Sequence, residues 1–412
     1  MLRDRRIVIG VTGGIAAYKT CELVRLCLKA GADVHVAMTA HATRFVAPLT
    51  FEGLSHHPVI TDMFDRSNAV ASEHIALARW GELIAIAPAT ANILAKAAHG
   101  LADDFLSTLI LATRAPVLFA PAMNTAMWEA SATRRNVALL AEHGYLVTPT
   151  GCGEMAENEI GPGRMLEPRE ILHHIVRALP KVGPLAGRCV IVTAGPTPEP
   201  LDPVRVLTNR SSGKMGVALA EMAAGMGAEV TFIHGPLGVP LPAGADPVAV
   251  ETADEMCRAV LEHLPAADAL AMAAAVADYR PVQVARHKIK KGATGRMTLD
   301  LVPTVDILGE VAARKGRQVI VGFAVESEAE KAATRVRDRM ERKSLDLVVL
   351  NMAGEEGSPF GADTNRVTIF PRVGQAEPLD ELPKHEVARR IWERVVPLLG
   401  ESTASASKEE AR

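Results

Sequence analysis

Short apolar runs alternate with helical patterns along almost the whole chain. In the first part, Ile7–Val11, Asp33–Met38, Leu83–Ala87 and Val117–Ala120 read as strands. In the second, Cys189–Thr193, Glu229–His234, Val248–Glu251, Ala269–Ala275, Gln318–Gly322, Leu345–Leu350 and Val367–Phe370 do so. Helices between strands require crossover connections, and crossovers build parallel sheets covered on both faces. The expected fold class is therefore α/β, with doubly wound parallel sheets. A length of 412 residues suits two or three domains. Leu179-Pro-Lys-Val-Gly-Pro-Leu-Ala-Gly187 reads as a linker, dividing residues 1–178 from residues 188–400. Residues 401–412 are small and polar and read as a disordered tail.

One connection is unusually long. Between the strand ending at Thr193 and a helix starting near Val217 lies Ala194-Gly-Pro-Thr-Pro-Glu-Pro-Leu-Asp-Pro-Val-Arg-Val-Leu-Thr-Asn-Arg-Ser-Ser-Gly-Lys-Met-Gly216. A strand-to-helix loop in an α/β unit needs only about 2–6 residues. Long loops at the carboxyl ends of strands are where open α/β sheets bind ligands. Hydroxyls, an amide, bare glycine N–H groups, Arg205 and Lys214 suit a phosphorylated ligand at a helix N-terminus. Gly213-Lys214 is followed by Met215, so the magnesium-holding hydroxyl of a P-loop is missing, and no G-x-G-x-x-G dinucleotide fingerprint occurs.

The run D-P-V-R-x-x-T-N-x-S-S-G-K-M-G resembles the signature of phosphopantothenate–cysteine ligases. Ala273-Ala-Ala-Val-Ala-Asp-Tyr279, Lys288-Ile-Lys-Lys291, Gly322-Phe-Ala-Val-Glu326, Lys343-Ser-Leu-Asp346 and Gly361-Ala-Asp-Thr-Asn365 are similar to further motifs of that family. The resemblance implies a Rossmann- or flavodoxin-like domain that activates 4′-phosphopantothenate with CTP and magnesium, releases pyrophosphate, and transfers the acyl group to cysteine. It implies that Arg205, Ser211, Ser212 and Gly213 bind the substrate and that Asn209 holds the acyl-nucleotide. Ala274, Ala275, Val276 and Asp278 would read the nucleotide, with Thr304, Val305, Asp306 and Ile307 beside them and Phe323 as a platform for the base. Lys288 and Lys290, on a basic loop that would otherwise read as solvated surface, would neutralise the triphosphate with Arg339 and Lys343. Two positions depart from the pattern: Val305 stands where a proline is usual, and Arg339 where a lysine is common. No metal-ligand cluster is visible, and magnesium is expected to be held by phosphates and water.

The loops of the first part also carry ligand chemistry. Gly13-Gly14 and Ile15 follow the first strand, Thr39 the second, and Pro88-Ala-Thr90-Ala-Asn92 the third, with Lys96 one turn on. Gly13-Gly14 alone is only a tight turn, but several such loops on one sheet edge point to a flavin or nucleotide. G-G-I-A-A-Y-K, Glu73-His-Ile-Ala-Leu77 and Pro121-Ala-Met-Asn-Thr-Ala-Met-Trp128 resemble the flavin-dependent cysteine decarboxylases over about residues 5–170. The resemblance implies an FMN site formed by Gly13, Gly14, Ile15, Thr39, Pro88, Thr90 and Asn92. It implies His74 as acid/base near the thiol, Asn124 on the substrate carboxylate and amide, and Met123 lining the pocket. Loss of CO₂ from an N-acyl cysteine needs an electron sink, which oxidation of the thiol to a thioaldehyde provides.

The stretch Gly151-Cys-Gly-Glu-Met-Ala-Glu-Asn-Glu-Ile-Gly-Pro-Gly-Arg-Met165 reads as a substrate lid, with Arg164 for the substrate phosphate. The family's lid cysteine is replaced here by Glu157. Cys152 or Glu157 is then the expected proton donor, with water or His74 as the alternative.

Five scattered cysteines without C-x-x-C spacing exclude a disulfide framework or zinc site of the usual spacing. A net charge of −3 gives no reason for a nucleic-acid or membrane partner. The expected setting is cytoplasmic, with decarboxylase trimers linked by ligase dimers by resemblance. Two other classes stay open: a dehydrogenase-like nucleotide enzyme, and a non-catalytic regulator related to the flavin decarboxylases. A bifunctional chain with only one active half is a further alternative.

Overall fold

The computed structural model describes residues 2–63, 73–154, 160–290, 297–326, 328–352 and 361–409. The chain divides into two compact units, Met1–Pro180 and Lys181–Arg412.

The first unit is built on five strands: β1 (Arg6–Val11), β2 (Asp33–Met38), β3 (Leu83–Ala89), β4 (Val117–Pro121) and β5 (Leu146–Val147). All pair in parallel, in the order β2-β1-β3-β4-β5. Their residues are apolar at nearly every position because helices cover both faces, leaving no wet side to alternate with. Val8, Ile84, Ile86 and Phe119 pack under the helices Ala91–His99 and Phe105–Ala112. The helix Ala17–Lys29 packs with Pro168–Ala178. A hairpin, β6 (Gly151–Glu154) with β7 (Ile160–Arg164), stands apart from the sheet.

The second unit contains β8 (Cys189–Ala194), β9 (Glu199–Pro200), β10 (Val206–Leu207), β11 (Glu229–His234), β12 (Ala245–Ala249), β13 (Ala269–Met272), β14 (Tyr279–Pro281) and β15 (Leu301–Pro303). It continues through β16 (Val319–Glu326), β17 (Leu347–Met352), β18 (Thr364–Asn365), β19 (Val367–Pro371), β20 (Glu377–Pro378) and β21 (Leu382–Pro383). Eight of these form the main sheet, in the order β12-β11-β8-β13-β16-β17-β19-β20. Six are parallel. β19 pairs antiparallel with β17, and β20 antiparallel with β19, so the doubly wound parallel sheet carries an antiparallel edge. Val190 and Val192 face the helices Lys214–Gly225 and Lys384–Glu409, while Ile191 faces Ala253–His263 and Ile307–Arg314. Trp392 is fully buried there, and its indole donates to the Leu219 carbonyl at 2.9 Å.

The last helix continues to Glu409, through most of the stretch expected as a disordered tail. Extending an existing helix needs no new nucleus, and the sequence after Gly400 contains neither Pro nor Gly. No described helix is long and apolar enough to cross a membrane.

Candidate active sites

Strand order decides where each unit can hold a ligand. In the first sheet the order reverses between β1 and β3. A crevice opens there at the carboxyl edge, as in other open α/β sheets with this strand order. The loops after β1 and β3 meet at that point. The Thr12 hydroxyl donates to the Pro88 carbonyl at 2.6 Å, lies 3.3 Å from the Thr90 hydroxyl, and accepts the Thr90 N–H at 3.2 Å. Two helices begin beside this knot, Ala17–Lys29 and Ala91–His99, and neither has a side-chain N-cap. Ala17 N–H donates to the Gly14 carbonyl and Lys19 N–H to the Ala16 carbonyl, both at 3.0 Å, and no cap side chain competes for the remaining first-turn N–H groups. A Cβ on Gly13 would stand 2.4 Å from the His41 Cβ, so the loop after β1 needs glycine for its close approach to the loop after β2. Two uncapped helix starts and a bare backbone fit a phosphate group. Ile15 and Tyr18 are exposed beside it.

The other expected cofactor residues have local duties. Thr39 accepts the Ala42 N–H at 3.3 Å and closes the short turn Ala42–Arg44. Asn92 is exposed in the first turn of its helix. Lys96 pairs with Asp103 and Asp104, 2.6 and 2.9 Å away. Burial alone would lower its pKa, but the two carboxylates outweigh this and raise it. Lys96 is thus engaged in a structural pair.

The loop after β4 and the hairpin form one body. Met123 N–H donates to the Gly163 carbonyl at 2.9 Å, and the Thr125 hydroxyl to the Pro162 carbonyl at 2.9 Å. Asn124 between them caps the helix Thr125–Glu129, its Oδ1 accepting the Ala126 N–H at 2.8 Å. Arg164 ends β7 and lies against Gly153, where a Cβ would stand 2.7 Å from its guanidinium. Cys152 is exposed on β6, opposite Pro162. Glu157 lies outside the described residues. His74 is half-buried in the first turn of the helix Glu73–Trp80. A helix crossing from β2 to β3 starts at the carboxyl edge, so His74 sits on the crevice side of the sheet.

The second sheet reverses order between β8 and β13, and a cavity of about 620 Å³ opens there. That volume lies within the range of small-molecule sites. Its floor is the segment after β13. Ala274 N–H donates to the Thr193 hydroxyl at 3.1 Å, Ala275 N–H to the Gly195 carbonyl at 2.9 Å, and Ala277 N–H to Thr197 at 2.9 Å. Val276 and Asp278 complete this lining, and Thr304 joins it through a 2.5 Å bond to the Ala277 carbonyl. Val305, Asp306 and Ile307 follow. Asp306 caps the helix Ile307–Arg314 and pairs with Lys343. Ser211, Ser212 and Gly213 line the opposite wall, at the start of the helix Lys214–Gly225. Phe323 and Arg339 close it. Burial pulls the Arg339 guanidinium below its usual range, against the Asp278 and Glu326 charges that raise it.

Four expected residues do not line the cavity. Asn209 donates to the Val276 carbonyl at 2.8 Å and so ties the long loop to the floor. Lys288 and Lys290 are exposed on their loop. Arg205 donates to the Ile289 carbonyl at 3.0 Å and pairs with Asp202 at 3.2 Å.

Of the remaining lining residues, Lys214 belongs to the long loop read as suited to a phosphorylated ligand, whereas Lys384 and Asn351 were missed in the sequence. Lys214 donates to the Gly361 carbonyl and to Asp363, both at 2.6 Å, and holds the Asp363 carboxyl below its usual range. Lys384 is buried beneath, donating to the Ala362 and Thr364 carbonyls. Burial, then the Lys214 charge, lowers its pKa, while Asp363 opposes. Asn351, next to last in β17, lies on the lining. Among the described residues its Oδ1 is the buried side-chain oxygen without a partner. A buried amide oxygen left unpaired costs about 1–3 kcal/mol, which a ligand donor in the cavity would recover.

Known proteins divide in the same way. A flavoprotein family model matches residues 1–180, and the DNA/pantothenate metabolism flavoprotein C-terminal domain matches residues 185–398. The coenzyme A biosynthesis bifunctional protein CoaBC of Bacillus subtilis (strain 168) is 44% identical over 401 residues, 97% of this chain and 98% of that protein. The protein of the same name from Escherichia coli (strain K12) is 42% identical over 403 residues, 95% of this chain and 99% of its own. The Mycobacterium bovis protein is 44% identical over 410 residues, covering 96% and 97%. A crystal structure of the C-terminal domain of a CoaBC protein is 36% identical over 53% of this chain and 99% of its own, with a TM-score of 0.45. On the match over nearly its full length, the chain belongs to the family of bifunctional coenzyme A biosynthesis proteins.

Proposed function

We propose that this chain converts 4′-phosphopantothenate and cysteine to 4′-phosphopantetheine in two steps, ligation in the second unit and FMN-dependent decarboxylation in the first. The observation that carries this reading is shared by both units. Each gathers most of its expected residues at the carboxyl edge of its own sheet, where strand order reverses.

In the ligase, CTP lies in the cavity with its base on Phe323 and its phosphates toward the helix start at Gly213. The cationic lining, including Lys214, Arg339 and Lys343, offsets the triphosphate charge. Magnesium enters with the nucleotide, held by phosphate oxygens and water, with Asp278 and Asp306 the carboxylates on the lining. The substrate carboxylate attacks the α-phosphorus, and pyrophosphate leaves. Asn209, tied to the Val276 carbonyl, positions the resulting acyl-nucleotide. The cysteine amine displaces the nucleotide. Lys288 and Lys290 flank Ile289, which is held by Asp202 and Arg205, and act on the triphosphate by extension of their exposed side chains from that anchored segment.

In the decarboxylase, the uncapped helix starts beside Thr12 and Thr90 hold the phosphate of FMN. When bound, FMN takes up a hydride as the substrate thiol is oxidised and returns it after CO₂ has left. His74 moves the proton of the thiol. Asn124 orients the carboxylate, and Arg164 binds the substrate phosphate. Cys152 gives the final proton from the hairpin. A thiol is closer in pKa to the enethiol than a carboxylic acid such as Glu157 is.

The test is the whole reaction. Full-length protein with phosphopantothenate, cysteine, CTP, magnesium and FMN should yield phosphopantetheine, CO₂ and pyrophosphate in equal amounts. Omitting the nucleotide should stop all three. Pyrophosphate release without any acyl-cysteine product would refute the ligase assignment.

A further inference from the structure

A second cluster of ligand-type side chains lies at the amino edge of the first sheet, away from the crevice. Asp33 opens β2 and His35 follows two residues later, so both project from one face of the strand. His57 comes from the segment after the helix Pro48–Ser55. That helix ends with His56 in the left-handed conformation at φ 59°. The chain then turns back along β2, where Ile60 bridges to Ala37 in parallel. His57 N–H also donates to the Ser55 hydroxyl at 3.3 Å, which fixes where the imidazole starts.

The three side chains converge. His57 Nε2 is 2.7 Å from Asp33 Oδ1, and the two imidazoles stack with centroids 4.0 Å apart. One ligand atom from each residue lies within 4.8 Å of the others. Tetrahedral zinc, with bonds of about 2.0–2.1 Å, spaces its ligand atoms by about 3.3 Å. The Asp33–His57 pair needs to open by about 0.6 Å, the widest pair to close by no more than about 1.5 Å, and the two rings, now stacked 20° from parallel, to turn so that a nitrogen of each faces one ion. The indole of Trp80 meets His35 edge-on at 4.3 Å and walls one side. Two imidazoles and one carboxylate suit zinc, nickel or cobalt and not magnesium or calcium, which take oxygen ligands.

We propose that Asp33, His35 and His57 bind a divalent transition-metal ion with three protein ligands and an open position. The ion fastens residues 57–60 to the edge strand of the sheet. It also braces the helix Glu73–Trp80, which carries His74 at its other end, through the contact of His35 with Trp80. It takes no part in the chemistry at the carboxyl edge.

The experiment uses the full-length, flavin-loaded protein stripped by chelator and titrated calorimetrically with Zn²⁺. One site per chain with micromolar or tighter affinity is expected. Asp33→Asn should weaken it at least tenfold and His57→Ala at least a hundredfold, with flavin absorbance and circular dichroism unchanged. Ni²⁺ should quench Trp80 emission, and Trp80→Phe should keep the zinc site while losing the quench. If His57→Ala disturbs the fold, Asp33→Asn, whose side chain is half exposed, decides the matter. Wild-type affinity and stoichiometry in Asp33→Asn would place the zinc elsewhere, on a free cysteine for example, and overturn the proposal. Absence of any zinc binding would do the same.

Discussion

Asp202 shows how one buried carboxylate organises a loop. It accepts the N–H groups of Val204 at 2.8 Å, Arg205 at 2.9 Å and Ile289 at 3.0 Å, and pairs with the Arg205 guanidinium. Burial alone would raise its pKa. These donors outweigh burial and hold the carboxyl below the usual range. A depressed folded pKa gives stability that is fully present above the unfolded value near 3.9 and is lost as pH falls through the folded value. Asp202→Asn should therefore melt at a lower temperature than wild type at pH 7, and the difference should shrink below about pH 4. Thermal melts across that range check it, and a constant difference would contradict it. The sequence placed Asp202 in a motif without revealing that it joins the long loop to the lysine loop. That link spans 87 residues and no local pattern encodes it. Asn351 escaped for a related reason. It ends an apolar run and reads as a strand terminus until its unpaired oxygen is seen on the cavity wall. The motif residues at strand ends were legible because polar side chains after an apolar run have few other places to go.

At the scale of elements, the hairpin and the loop after β4 depend on close approach. A Cβ on Gly161 would lie 2.5 Å from the Thr125 hydroxyl, next to the Asn124 cap. Gly161→Val should push the helix Thr125–Glu129 away from β7 and loosen Asn124. Decarboxylation of supplied phosphopantothenoylcysteine should fall by about 10²-fold, in line with a displacement of about 1 Å at a positioning group. Ligation should be untouched. Parallel rate measurements of the two half-reactions decide it, and an equal loss in both would count against the account. Most strands of the two main sheets were readable as apolar runs between helical patterns, whereas β5, the hairpin β6–β7, β20 and the short two-stranded pairs were not. Thr252 caps the helix Ala253–His263 in a capping box with Glu255, a pairing spelled out by a Thr followed three residues later by Glu. The antiparallel edge was not readable, because the direction of a strand is set by its connection and not by its composition. Lys288 and Lys290 were legible as a basic loop, and their exposed position agrees with the solvated-surface reading of that loop.

For the whole molecule, the central claim is two separate sites on one chain, the product of one being the substrate of the other. Each unit has its own sheet, its own point of strand reversal and its own set of loops. Damage to one site should then leave the other intact. The most direct measurement follows products by mass in His74→Asn and Lys288→Gln full-length variants. His74→Asn should release pyrophosphate at the wild-type rate and accumulate phosphopantothenoylcysteine. Lys288→Gln should form that product about 10²-fold more slowly, yet decarboxylate it at the wild-type rate when it is supplied. Loss of both half-reactions in either correctly folded variant would contradict the account.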